Sequence, residues 1–146
     1  MEQYDLAADR HFTTAEFLNA GGHVCDAGYH YGLSGENALK HSLRASGVEA
    51  FWLSVGRDRF QTAMQGHFTG LTSKVDQLRA EILANATGRL AAPIVSVVLA
   101  PAFLSMFSGW SIMIRYADTG FTPVQQVDCD RWKVDATDLM LNLVVV

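Results

Sequence analysis

The spacing of apolar residues along the chain predicts a succession of α-helices. Apolar positions recur at near-helical intervals over Tyr4–Ala20, and the glycine pair at positions 21 and 22 supplies a stop. A second long helix is predicted over Val24–Ala45, with Tyr31 and Leu39 on its apolar face. Because only a short glycine joint separates them, the two helices are predicted to form an antiparallel hairpin.

The middle of the chain carries a weaker pattern. Glycines interrupt the apolar residues between positions 48 and 70, so this stretch is predicted to be a loop with one short helix around 58–65. A clearer helix is predicted over 72–86, where Thr72 or Ser73 can act as the cap.

Residues 90–114 contain no charged side chain. Such a length is sufficient to cross a bilayer. Prolines at 93 and 101 and several serines favour a buried central helix, divided or kinked at Pro101, over a membrane span. Arg115 is the first charged residue after this segment.

The last helix is predicted to start at Thr122 and Pro123, with the threonine as cap and the proline in the first turn. Runs of β-branched residues at 94–98 and 143–146 are ambiguous between helix and strand. The predicted fold class is nevertheless all-α: residues 1–146 form a single domain, a bundle of about five helices. The apolar stripe of the last helix consists of Cys129, Trp132, Ala136, Leu139 and Leu143.

Composition narrows the class of protein. A chain of 146 residues with 49% hydrophobic residues can bury one core. Its net charge of −4 provides no overall basic field for nucleic acid, although a local basic groove is compatible with it. Cys25 and Cys129 form no metal or redox spacing, which indicates free thiols. The charged first twenty residues lack the apolar region of a signal peptide, so a cytoplasmic location is expected.

Three stretches, in the same order, resemble elements of the HEPN domain family of small helical domains. They are similar to that family's opening helical hairpin, to an H-x-x-x-L element, and to an Arg-Tyr element that precedes its last helix. The stretches and their key residues are 7–48 with Glu36 and Lys40, 65–71 with His67 and Leu71, and 114–140 with Arg115 and Tyr116.

The resemblance implies a helical bundle, often a homodimer, that binds a nucleotide, RNA or a protein partner. A nucleotidyltransferase-type antitoxin is one example of such a protein partner, since some members act in toxin–antitoxin or phage-defence systems. The RNA-cleaving branch uses an arginine followed after four to six residues by a histidine, a pair suited to acid–base catalysis. Counting from Arg115, those positions hold Gly120, Phe121 and Thr122. None of these exchanges a proton near neutral pH, so a binding module without nuclease activity and without a cofactor is expected.

Two alternatives stay open. The first is a divergent HEPN ribonuclease in which folding brings His67 or His41 near Arg115 to supply the proton. The second is a structural subunit of a homo-oligomer without a ligand. For the binding module, the expected ligand contacts are Arg115, Tyr116, Lys40 and His41, and the expected structural residues are Glu36, His67 and Trp110.

The charged residues that are candidates for a functional site each have a structural and a functional interpretation. Arg115 can satisfy the carbonyls at the end of a buried helix, or its planar guanidinium can bind phosphate at two points. Glu36 and Lys40 can form a structural i,i+4 ion pair or a proton-transfer pair. Gly32 and Gly35, inside the second helix, indicate close helix packing rather than phosphate binding.

The histidines do not form a metal motif within any one helix. His23 with Cys25 and Asp26 is a poor helical spacing, because residues two apart, such as His23 and Cys25, do not share a helix face. His30 and His41 are about three helical turns apart. A metal site would need a ligand from another helix, and no metal is predicted.

Overall fold

Every element of regular structure in residues 2–119 and 123–145, the ranges that the computed structural model describes, is helical. The all-α prediction is confirmed, but these ranges contain eight α-helical segments rather than about five. The segments are α1 Tyr4–Ala20, α2 Val24–Ala45, α3 Val48–Ser54, α4 Arg59–Thr62, α5 Gly70–Gln77, α6 Arg79–Asn85, α7 Ala91–Pro93 and α8 Gln126–Leu139. Short 3-10 helices cover Gly88–Leu90, Pro101–Ser105 and Ile112–Thr119, and π-helical turns cover Ile94–Val98 and Met140–Val144.

The predicted hairpin is confirmed, with both helices at the predicted bounds. Its antiparallel register follows from two bonds between the helices. The Ser34 hydroxyl donates to the carbonyl oxygen of Ala8 at 2.8 Å, and the Tyr31 hydroxyl donates to the Glu16 carboxylate at 2.9 Å. In the joint, Gly22 takes a φ of +81°, which glycine adopts at no steric cost.

The central helix of the fold is α2. Within it only Asp26 and Ala45 are exposed, an unusual degree of burial for a helix with so many small and polar residues. It packs against α1, α8, the 3-10 helix at Ile112–Thr119 and the π turn at Met140–Val144.

Three glycines on one side of α2 each lie under an aromatic ring. The pairs are Gly28 with Trp132, Gly32 with Trp110 and Gly35 with Phe107. A Cβ atom at position 35 would lie 2.6 Å from the ring that it faces, and one at position 32 would overlap the indole. The predicted close packing at Gly32 and Gly35 is therefore confirmed, and aromatic rings rather than a second helix backbone approach these sites.

The chain from 48 to 86 is more helical and more broken than predicted. Helix α3 was missed: Gly47, with φ +86°, turns the chain, and Val48 and Trp52 bury one face of the helix. The predicted short helix exists only at Arg59–Thr62.

The predicted helix over 72–86 is interrupted at Leu78, which has non-helical dihedral angles. Its N-terminal part, α5, starts at Gly70, earlier than predicted. Neither predicted cap, Thr72 or Ser73, is at its start: both lie inside α5, and the Thr72 hydroxyl donates to the carbonyl oxygen of Thr69, the residue that precedes the helix. The break turns α6 so that Glu81 reaches Trp52 of α3.

The prediction of a buried central helix over 90–114 is wrong. This segment consists of short 3-10, α and π turns with one side facing solvent. Pro101 starts a 3-10 helix instead of kinking an α-helix, and Phe107 adopts a positive φ of 55°. Within the described ranges no helix combines the length and the apolar character needed to cross a bilayer. The buried side is formed by Leu90, Ile94, Val98, Leu99, Phe103, Phe107, Trp110 and Ile114.

The last helix begins at Gln126, later than predicted. Gln125 and Asp128 form a reciprocal capping box, while Thr122 lies outside the described residues. The predicted stripe from Cys129 to Leu143 is buried throughout, as expected. Of the two ambiguous β-branched runs, residues 94–98 are helical throughout, and in the second run the helix continues to Val144.

Candidate functional site

One stripe of α2 stays partly open to solvent between two walls. Tyr29, Leu33, Asn37 and Lys40 lie on it, each half-buried. On one side α1 packs against the stripe, and on the other side lie Trp110 and the turn containing residues 65–69. We call this surface the α2 groove.

At the C-terminal end of the α2 groove, α1 and α2 enclose an open cleft of about 520 Å³. Arg10 of α1 and Lys40 of α2 bring two positive charges to it, against one carboxylate from Glu2. The lining residues are Glu2, Gln3, Tyr4, Leu6, Ala7, Arg10, Asn37 and Lys40.

Tyr4 provides the aromatic surface of this cleft. The Lys40 ammonium lies 5.9 Å from the centre of its ring, and the Arg44 guanidinium lies 4.5 Å from the same point. Arg44 is also bound by Glu49 at 2.7 Å, so its charge is already compensated. Burial, together with the hydrogen bond to Glu2, raises the pKa of Tyr4 to about 12, which keeps its hydroxyl protonated.

Glu36 is buried beside the α2 groove, with 4% of its surface exposed. Its carboxylate lies 2.9 Å from Nδ1 of His67 and also accepts the backbone N–H of Phe68 at 3.4 Å. Burial raises the pKa of Glu36, and the positive charges of His67 and Lys40 oppose that shift. The i,i+4 spacing predicted Lys40 as the ion-pair partner of Glu36. Among the described residues, its partner is instead His67.

The Glu36–His67 pair has the form of an oriented imidazole. The buried carboxylate binds Nδ1, while 43% of the His67 side chain remains exposed. Nε2 is then the nitrogen that can exchange a proton with a molecule in the groove. The His67 ring lies 6.2 Å from the indole of Trp110, which is itself buried and donates to the carbonyl oxygen of Gly28. The structure therefore brings together the three residues that were predicted to be structural.

The predicted ligand contacts do not share one site. Lys40 lines the cleft, whereas His41 is not among its lining residues and faces the charges of Asp5 and Arg89. Burial lowers the pKa of His41.

Arg115 is exposed in the 3-10 helix Ile112–Thr119 and does not end a long buried helix, because no such helix forms. Phe107 packs at Gly35 and Trp110 packs at Gly32, so this part of the chain runs along α2 away from Lys40. Arg115 accordingly does not line the cleft. The Tyr116 side chain and residues 120–122 lie outside what the structure describes.

A pair of histidines that the sequence did not predict joins α1 to α2. Nδ1 of His11 lies 3.0 Å from Nδ1 of His30, and the ring centres are 5.2 Å apart. Burial lowers the pKa of both imidazoles, and each is also subject to nearby charge, that of Arg10 and Asp26 respectively. The predicted antiparallel hairpin contained a signal for this pair, because its register places position 11 beside position 30.

No protein-family model, no curated protein and no solved structure is similar to this chain at a significant level. The HEPN resemblance therefore stays a prediction that depends on the order and spacing of its sequence elements.

Proposed function

We propose that this protein is a HEPN-like helical module that binds a phosphate-bearing ligand, a nucleotide or a stretch of RNA, in the cleft between α1 and α2 without cleaving it. The observation that carries the proposal is the placement of Arg10 and Lys40, from two different helices, in one open cleft.

The chemistry of the cleft suits a phosphate. A guanidinium can bind two phosphate oxygens in a plane, while an ammonium acts as a compact charge with three donors. The cleft volume of about 520 Å³ is within the range of small-molecule sites. Because the whole chain has a net charge of −4, attraction for an anion would be a local property of this surface.

The test is a binding titration with two probes, ATP and a fluorescent single-stranded RNA of twelve nucleotides. We expect saturable binding of at least one probe, weakened by added salt. Arg10→Ala and Lys40→Ala should each weaken it roughly ten- to hundredfold, since a charged contact contributes on the order of 1.5–3 kcal/mol.

The matched control is Lys74→Ala, which removes an exposed lysine of α5 outside the cleft. Binding of ATP alone identifies a nucleotide site, and binding of RNA alone identifies an RNA site. The proposal is wrong if neither probe binds, or if Arg10→Ala and Lys40→Ala bind as tightly as Lys74→Ala.

RNA cleavage is a second candidate function, and the Glu36–His67 pair favours it. A histidine fixed by a buried carboxylate at Nδ1 can take up or deliver a proton through Nε2. Incubation of labelled RNA with the native protein and with His67→Ala tests this function. Cleavage that is absent from both, or equal in both, rejects a role for His67.

Self-association and a protein partner are also proposals that derive from the HEPN resemblance. Light scattering of the purified chain tests the homodimer directly. A monomer at high micromolar concentration would remove the dimer, and with it the structural homo-oligomer as an alternative.

A further inference from the structure

The His11–His30 pair, outside the proposed ligand cleft, has a geometry that goes beyond a helix–helix hydrogen bond. The two Nδ1 atoms face each other at 3.0 Å, and both side chains are half-buried, so solvent still reaches the pair. In the unfolded chain the two residues are nineteen positions apart, and only the hairpin brings them together.

This separation matches two nitrogen ligands on one metal ion. With metal–nitrogen bonds of about 2.0–2.1 Å, a nitrogen–nitrogen distance of 3.0 Å corresponds to an angle of roughly 95° at the metal. That value is close to the right angle between adjacent ligands in the tetragonal complexes of Ni²⁺ and Cu²⁺. In the present structure the two nitrogens share a hydrogen bond, so each ring must turn slightly to direct its lone pair at a common ion.

A third donor lies one helical turn away. Asp26 precedes His30 by four residues on α2, its side chain is exposed, and its charge acts on the His30 imidazole. No hydrogen bond or ion pair engages the Asp26 carboxylate within the described ranges. No group of three or more His, Cys, Asp or Glu side chains is already assembled for a metal in those ranges, so the Asp26 side chain would have to turn toward the pair.

We infer that His11 and His30, joined by Asp26 and solvent, bind one divalent d-block cation of the Ni²⁺ or Cu²⁺ type and thereby clamp α1 to α2. Imidazole nitrogens with one carboxylate are a donor set that these ions accept.

The protonation states of the free site are compatible with this role. Burial lowers the pKa of both histidines, so both rings are neutral near pH 7, the form that a metal requires. The ring that now donates through Nδ1 would move its proton to Nε2, and binding then needs no net release of protons. The charge of Arg10 acts on His11 and opposes a cation, which limits the affinity.

The experiment is a calorimetric titration of the whole chain with Ni²⁺ at pH 7.5, with thermal unfolding at each metal concentration. Because the ion binds the folded hairpin and not the unfolded chain, a hundredfold excess over Kd should raise Tm by roughly 5–10 °C. One equivalent of Ni²⁺ should bind with a Kd on the order of micromolar, corresponding to a modest site. Electron paramagnetic resonance of the Cu²⁺ complex should show coupling to two equivalent nitrogens.

His11→Gln and His30→Gln should each abolish the Tm shift, and Asp26→Asn should weaken binding roughly tenfold. Glutamine keeps a hydrogen-bonding side chain between the helices, so loss of binding would not reflect loss of the fold; circular dichroism without metal checks this. His23→Gln, in the exposed joint between the helices, is the matched control and should bind as the native chain does. The inference is overturned if the native chain shows no saturable site, or if His11→Gln and His30→Gln still bind Ni²⁺.

Discussion

Gly32 lies directly beneath the indole of Trp110, so close that a Cβ atom at position 32 would overlap the ring. The same indole donates a 2.9 Å hydrogen bond to the carbonyl oxygen of Gly28, one turn earlier. Trp110 is thus fixed to α2 by shape and by a directional bond at once. The absence of a side chain at position 32 is therefore a structural requirement, although glycine lowers the intrinsic stability of a helix.

Gly32→Ala should lower the free energy of unfolding by about 1–3 kcal/mol, because the indole must move from its site. The better helix propensity of alanine, about 1 kcal/mol, offsets only part of this loss. Gly70→Ala is the matched control: Gly70 also belongs to a helix, but no atom lies within 4 Å of the place that a methyl group would occupy there. Urea unfolding should show Gly70→Ala to be neutral or slightly stabilising. Equal effects of the two substitutions would contradict the packing described for Trp110.

Acid should destabilise the hairpin through His11 and His30. Both pKa values are lowered from 6.5 by burial, so between the lowered values and 6.5 the unfolded chain binds more protons than the native one. The free energy of unfolding therefore falls as the pH drops from about 6.5 through the folded-state pKa values.

The double variant His11→Gln/His30→Gln should show a smaller loss of stability between pH 7.5 and 5.5 than the native chain does. His41, whose pKa is also lowered, stays in both proteins and cancels in the comparison. Urea unfolding at both pH values measures the difference, with His23→Gln as the exposed control. A double variant with the native pH slope would show that the pair is not buried enough to titrate abnormally.

The free energy of unfolding of Glu36→Gln should increase relative to that of the native chain as the pH rises. The pKa of Glu36 is raised by burial, so the native state binds more protons than the unfolded state between 4.5 and the folded-state pKa. In that window the native chain loses stability with rising pH, and the neutral amide avoids this loss. Chemical unfolding at pH 5 and pH 8 gives the comparison. The opposite trend would mean that the ion pair with His67 outweighs burial.

Glu81→Ala should cost about 1–3 kcal/mol of unfolding free energy, because it leaves the buried indole N–H of Trp52 without its acceptor. Glu81 accepts that N–H at 2.7 Å and also binds Arg57 at 2.8 Å. The Trp52→Phe background isolates the indole bond: there, the same substitution should cost clearly less. If the cost is unchanged in that background, the contribution of Glu81 comes from its ion pairs with Arg57 and Arg59 and not from Trp52.

Local sequence signals predicted the long helices because those signals act over short distances. In α1 and α2 the apolar periodicity ends where glycines stop the helix. Both signals therefore gave the same helix bounds, and the structure has those bounds. The segment 90–114 shows the limit of such reasoning. Lack of charge indicates burial of some side chains, yet prolines and short-range backbone preferences divided the segment into turns.

The central position of α2 could not be predicted, because most of its buried residues are small or polar and only Tyr31, Leu39 and Leu43 are large and apolar. Ser34 and Ser42 are fully buried, each donating to a backbone carbonyl, as a polar core residue requires. The site showed the same limit. The partner of Glu36 is His67, thirty-one residues away in sequence, and only tertiary packing selects it over the nearer Lys40.

The rings that cover the glycine side of α2 come from residues 107, 110 and 132, all in the last third of the chain. Because translation proceeds from the N-terminus, α1 and α2 are synthesised before the residues that cover this side. The glycine side of α2 in the nascent hairpin therefore stays uncovered until those residues have been translated. The hairpin consequently cannot reach its final packing before Trp132 has been made, even though its two long helices are translated earlier.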